Sequence, residues 1–177
     1  MSLIIEHLYL SPIVVSRDLA FFKAQKISRV LIAAKNLRQH FQQLATYKQL
    51  NLSDNPQSCI IKYFVESIKF IHEALSARKN VLVHCLGGIS RSVSIVIAYL
   101  MFILNISFEK ALEFVKKRHS KADPNPGFRA QLKAFEKCII EYKKLKEDDS
   151  SGTIDYRLLD TLIGMADKND SGKAKKK

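Results

Sequence analysis

The sequence predicts an α/β fold: a mixed central β-sheet covered by α-helices, in a single domain with a short C-terminal tail. Three observations predict it. Short strand-like apolar runs alternate with longer segments whose apolar residues recur at three- and four-residue steps. One run, Val81 to Val83, is apolar at consecutive positions, as in a strand covered on both faces. The chain has 177 residues, 47% hydrophobic and 26% charged, enough for one ordinary globular core.

The elements follow in order. Leu3 to Ile5 and Leu8 to Leu10 read as short strands closed by Ser11-Pro12, and Ser16 as the N-cap of a helix running through Lys26. Ile27 to Ala34 is strand-like, with Val30-Leu31-Ile32 as a buried central segment. Residues 36–45 leave helix and loop both open, and Tyr47 to Leu52 alternates as a short strand. Ser53-Asp54-Asn55-Pro56 is a loop. From Gln57 to Lys79 the helical pattern is carried by Ile60, Phe64, Ile68, Ile71 and Leu75. The strand Val81 to Val83 leads through a glycine-containing turn into an apolar helix over Val93 to Leu104. Ser107 caps a helix to about Arg118, with Phe108, Ala111, Leu112 and Val115 inward. After the turn at Asp123-Pro124-Asn125-Pro126-Gly127, a long helix carries Leu132, Phe135, Ile139 and Leu145. The polar stretch Glu147 to Gly152 closes a domain spanning 1–146. Beyond it lies a tail, 147–177, with a short accessory helix over Ile154 to Ile163 and an expected disordered end from Asp167.

The totals exclude several classes. The longest apolar run is shorter than the roughly 20 residues a bilayer span needs, so no transmembrane segment is expected. Neither a signal peptide nor a myristoylation glycine is visible, and three cysteines without paired spacing make no disulfide framework. A cytoplasmic location is expected, with nuclear residence as a secondary option. His7, His40, His72 and His119 show no metal spacing, so neither metal nor cofactor is expected. The net charge is +12, and residues 147–177 hold only six of the 29 basic and seven of the 17 acidic side chains. The basic excess therefore belongs to the folded part and favours anionic ligands, phosphoproteins before nucleic acid or acidic lipid. Its plain alternative is a solvated face.

The chemistry concentrates in His84-Cys85-Leu86-Gly87-Gly88-Ile89-Ser90-Arg91-Ser92. A turn from a strand into a helix N-terminus aims successive backbone N–H groups into one concavity, which suits an oxyanion. Cys85 sits at the base of that cradle and Arg91 at its rim, where a planar fork can clamp two phosphate oxygens. A thiolate meeting a phosphoryl group held there is a nucleophile. A buried cysteine alone is usually a small hydrophobe. Here it coincides with glycines, an arginine and the strand-to-helix context.

The pattern His84-Cys85-x-x-Gly88-x-x-Arg91-Ser92 resembles the signature of cysteine-dependent protein phosphatases. With Ser90-Arg91-Ser92 and Ala98-Tyr99-Leu100-Met101 it is similar to the small atypical dual-specificity branch, over most of residues 3–146. Gly87 stands where that branch more often has alanine, and Ser11 where it often has glycine. The resemblance implies that Cys85 attacks phosphorus. Arg91 and the loop amides of Leu86, Gly87, Gly88, Ile89, Ser90 and Arg91 would then hold the equatorial oxygens. It implies Asp54 as the general acid, although Asp before Asn-Pro is by itself more often a turn residue. It also implies that Ser92 eases departure of the Cys85 sulfur, that His84 holds the loop backbone and that Asn125 steadies the phosphate loop. Cys59, five residues beyond Asp54, is a candidate resolving thiol, although Cys59 and Cys138 read first as packing residues.

The expected activity is hydrolysis of phosphotyrosine and of phosphoserine and phosphothreonine in protein substrates, through a phosphocysteine intermediate. Two alternatives stand beside it. One is a phosphatase of phosphoinositides or RNA 5′ ends, suggested by the charge. The other is a non-catalytic phosphate-binding scaffold.

Overall fold

The structure is a computed structural model that describes residues 1–147, 149 and 152–173, with residues 166–173 described by backbone alone. Five strands form one sheet: β1 Ser2–Ile5, β2 Leu8–Ser11, β3 Ile27–Ile32, β4 Thr46–Gln49 and β5 Asn80–His84. Their spatial order is β1-β2-β5-β3-β4. β2, β5, β3 and β4 run parallel, and β1 lies antiparallel to β2 at one edge. This is the mixed sheet the alternation predicts. The consecutive apolar run explains why β5 is central: Val81, Leu82 and Val83 are fully buried between Leu8 to Leu10 of β2 and Arg29 to Leu31 of β3.

Among the described residues the α-helices are α1 Leu19–Ala24, α2 Phe64–Ser76, α3 Arg91–Leu104, α4 Phe108–Arg118, α5 Pro126–Leu145 and α6 Tyr156–Lys173. Every residue of α3 from Ser92 to Phe102 is buried. That is the expected fate of a helix apolar all round. It packs on β2 and β5 and is flanked by α2, α4 and α5. Ser107 caps α4, accepting from the Lys110 N–H. Asn125 caps α5, accepting from the Phe128 N–H, with Pro126 in the first turn.

Several boundaries differ from expectation. Ser16 is not a cap; it is buried in a 3₁₀ turn, Ile13–Arg17, and its hydroxyl donates to the Ile13 carbonyl. Asp18 caps α1 instead, accepting from the Phe21 N–H at 3.0 Å. Residues 36–45 contain turns and no helix, with Asn36 and Phe41 at positive φ. The helix expected from Gln57 begins later, after a 3₁₀ turn at Ile61–Tyr63. Asn55 captures the Gln57 and Ser58 N–H groups in a turn of its own. Leu145 is exposed, and Tyr142 completes the inner face of α5.

The accessory helix is longer than Ile154 to Ile163. Its backbone reaches Lys173, including residues from Asp167 onward expected to be disordered; residues 174–177 of that stretch lie outside the described residues. Asp155 caps it, accepting from the Arg157 and Leu158 N–H groups, while its own N–H donates to the Tyr142 hydroxyl. Leu159 and Ile163 are buried, and α6 packs on α5 and α2.

Candidate active site

The parallel strands all end on one side of the sheet, and the loops that leave β2, β3 and β5 meet there. Ligands in such sheets bind outside the carboxyl ends of the strands. The loop after β5 is fixed by its carbonyls. The Cys85 carbonyl accepts from His84 Nδ1, that of Leu86 from the Ile13 N–H, and that of Gly88 from His119 Nε2. The Ile89 carbonyl accepts from the Asp123 N–H, and that of Ser90 from the N–H and hydroxyl of Ser94. In a trans peptide the carbonyl and the following N–H point in opposite directions. Five carbonyls tied to the surrounding protein therefore turn the N–H groups of Leu86, Gly87, Ile89, Ser90 and Arg91 the other way, into the concavity. An anion cradle results.

Gly88 makes the turn possible. Its φ is +68°, and a Cβ there would lie 2.7 Å from the Pro12 nitrogen. Its N–H donates to Cys85 Sγ at 3.2 Å, and the Ser92 hydroxyl donates to the same sulfur at 3.2 Å. Both donors converge on the sulfur from the loop and from the first turn of α3. Cys85 is 1% exposed, so these bonds are largely screened from water. All three cysteines are free thiols, Cys59 half-buried and Cys138 buried.

His84 follows from its place at the buried end of β5. Burial pushes its pKa down to about 4, with neighbouring His40 contributing and the bond to the Cys85 carbonyl opposing. A carbonyl can only accept, so the neutral ring carries its proton on Nδ1 and serves the loop backbone.

Asp54 lies across the cradle. Its Oδ1 accepts from the Ser90 hydroxyl at 2.8 Å and from Asn125 Nδ2 at 3.0 Å. Its Oδ2 stands 3.4 Å from Arg91 Nε, close enough for attraction but without hydrogen-bond alignment. Arg91 also makes one long contact, Nη1 to the Leu52 carbonyl at 3.5 Å. Oδ1 is thus held by two donors, while Oδ2 faces the arginine. Asn125 serves twice, since its N–H also donates to Ser90 Oγ at 3.1 Å. The structure thus brings Cys85, Arg91, Asp54, Ser90, Ser92, His84 and Asn125 into one site. Among the described residues no group of three or more His, Cys, Asp or Glu could hold a metal ion, and no helix is long and apolar enough to cross a membrane.

Two residues of the site carry no signal in the sequence pattern. His119, buried, links Gly88 of the loop to Ser2 of β1: Nε2 donates to the Gly88 carbonyl at 2.7 Å and Nδ1 accepts from the Ser2 hydroxyl at 2.9 Å. Gln131 of α5 binds the segment just after Asp54. Asking which groups satisfy the orphan N–H groups opening the following helix would have pointed to a partner there, though not to its identity.

A thiol under an anion cradle, an arginine at the rim and a carboxylic acid opposite define a cysteine-dependent phosphohydrolase. The comparisons agree. The family described as dual specificity phosphatase, catalytic domain, matches residues 8–138. Dual specificity protein phosphatase 1B of Arabidopsis thaliana is 39% identical over 132 residues, covering 75% of this chain and 79% of that protein. Human dual specificity protein phosphatase 22 is 37% identical over 150 residues, covering 84% and 81%. The crystal structure of DUSP15 superposes with a TM-score of 0.77 at 32% identity, covering 86% of this chain and 98% of that one. In contrast, the match to human dual specificity protein phosphatase 9 spans only 40% of that protein. The chain belongs to the dual specificity phosphatase family, among its small atypical members, and is a phosphatase hydrolase.

Proposed function

We propose that the enzyme hydrolyses phosphotyrosine and phosphoserine or phosphothreonine in protein substrates, in the cytoplasm, through a phosphocysteine intermediate. The observation that carries this is the opposition of Cys85 Sγ, within the ring of inward amides, to Asp54, with Oδ1 held by two donors. In the first step Cys85 Sγ bonds to phosphorus as the ester P–O bond breaks, and the proton on Asp54 passes to the departing oxygen. Arg91 and the inward amides of Leu86, Gly87, Ile89, Ser90 and Arg91 hold the three equatorial oxygens, and this positioning supplies most of the rate. In the second step water attacks phosphorus and gives its proton to Asp54. The S–P bond breaks, and the Ser92 hydroxyl and Gly88 N–H receive the thiolate.

A protein substrate is favoured by the side chains at the loop's rim. Leu86 and Ile89 are exposed, apolar and at the rim, and Gly87 adds no side chain, so these three positions offer no cation to extra phosphates of an inositol ring. The test is a panel of phosphopeptides, inositol phosphates and triphosphorylated RNA, run with Cys85→Ser alongside. Turnover of phosphopeptides, lost in Cys85→Ser while peptide binding persists, is the expected result. Preferential turnover of inositol phosphates or RNA would displace the protein reading, and substantial residual hydrolysis by Cys85→Ser would remove the nucleophile.

A further inference from the structure

We propose that Gln131 is a positioning residue for the general acid, holding the Asp54 loop against α5; this rests on the reading of Asp54 above. An acid acts only within hydrogen-bond reach of the oxygen it protonates, so the loop bearing Asp54 needs a fixed support. α5 contacts that loop along its length. Asn125, at the N-cap, donates to Asp54 itself. Gly127 abuts the Pro56 carbonyl so closely that a Cβ there would overlap it. Gln131, one helical turn beyond Gly127 and on the same face, reaches the far end.

Its side chain makes three hydrogen bonds there. Oε1 accepts from the N–H groups of Ile60 at 2.7 Å and Ile61 at 3.1 Å, and Nε2 donates to the Ser58 carbonyl at 2.9 Å. These partners also fix the orientation of the amide, because a backbone N–H cannot accept and a carbonyl cannot donate. The two N–H groups belong to the start of the 3₁₀ turn before α2, whose N-cap, Ile60, has no side chain able to cap it. Gln131 is therefore a cap supplied by a different helix. One end of the Asp54 loop is fixed to α5 through this cap, and the other to the phosphate loop through Ser90. Releasing Gln131 frees residues 55–60 to shift while leaving Cys85, Arg91 and the amide cradle untouched. A displacement of about 1 Å at a reacting group can cost on the order of a hundredfold.

The test compares kcat/KM for p-nitrophenyl phosphate, whose leaving group needs little protonation, with that for a phosphothreonine peptide, whose leaving group needs it fully. Gln131→Met keeps the length and removes the bonds. It is expected to lose about tenfold on the peptide and less than threefold on the aryl ester, a fraction of the ~10²–10⁴ that a placed acid contributes. Gln131→Glu retains the two accepted bonds and should recover most of the loss. In an Asp54→Asn background Gln131→Met should add nothing further on the peptide. Equal losses on both substrates, or the same loss with and without Asp54, would show a merely structural cap and overturn the proposal. Should Gln131→Met fail to fold, Gln131→Asn, whose amide is too short to span the gap, carries the same comparison. A leaving-group dependence absent in Asp54→Asn itself would strike the acid assignment; present there and absent for Gln131, it strikes only this proposal.

Discussion

Gly87 and Gly88 sit side by side in the phosphate loop under opposite constraints. A methyl group on Gly87 would meet only the Ile89 side chain, at 3.5 Å, an ordinary contact. One on Gly88 would strike the Pro12 and Ser11 backbone from a left-handed conformation costing about 1–2 kcal/mol for any other residue. Gly87→Ala should keep kcat/KM within about twofold, consistent with the alanine common at that position in the branch it resembles. Gly88→Ala should lose at least about a hundredfold, since the shifted amide no longer meets Cys85 Sγ. Steady-state kinetics on an aryl phosphate distinguishes the two. His84 gives a prediction in pH. Its pKa in the fold is about 4 against an ordinary 6.5, so between those values the unfolded chain takes up a proton that the native ring refuses. Stability therefore falls as pH drops from about 6.5 toward 4, by on the order of 3 kcal/mol over that window. Urea unfolding at pH 7 and pH 5 should show a smaller difference for His84→Asn than for the parent. An unchanged difference would assign the acid sensitivity elsewhere.

At the scale of elements, what could be read from the sequence depended on whether the deciding contact was local. Ser107 and the apolar periodicity of α3 and α4 act within a few residues of themselves, and those elements begin and end close to expectation. Ser16 and Asp18 compete as caps two residues apart. Asp18 wins because the chain first closes a 3₁₀ turn against the phosphate loop through Ile13 and Leu86. The late start of α2 depends on Gln131, some 70 residues away, which no window of neighbouring residues contains. Likewise the meeting of Cys85 and Arg91 in one loop was legible from a motif, and Asp54 beside them only from the family resemblance, whereas His119 and Gln131 make side-chain contacts that only the fold creates. α6 was legible as an apolar stripe but not as part of the core. Leu159 and Ile163 are buried, and burying such a side chain stabilises by about 1.5–3 kcal/mol. Deletion after Lys146 is therefore expected to lower Tm by several degrees while leaving kcat toward a small aryl phosphate within about twofold. A large loss of kcat at a temperature where the shortened chain is folded would make α6 a support of the site rather than of stability.

Across the whole molecule, the basic excess and the cradle act on the same class of ligand over different ranges. The first 146 residues carry a net +13 against +12 for the whole chain, a field that attracts anionic ligands from beyond contact distance. The cradle, at the carboxyl ends of β2, β5 and β3, acts only on the phosphoryl group that arrives. The strand order has a consequence for how such a molecule comes into being. β2 and β3 precede β5 in the chain, yet β5 lies between them. A growing or refolding chain that has made β1 to β4 holds two strand pairs, β1-β2 and β3-β4, with a gap between them, and neither β2 nor β3 has its inner partner until β5 enters. Such non-local pairing makes folding slow. The nucleophile follows immediately on the strand that fills the gap. No partial fold therefore carries a partial active site: catalysis begins when the sheet closes.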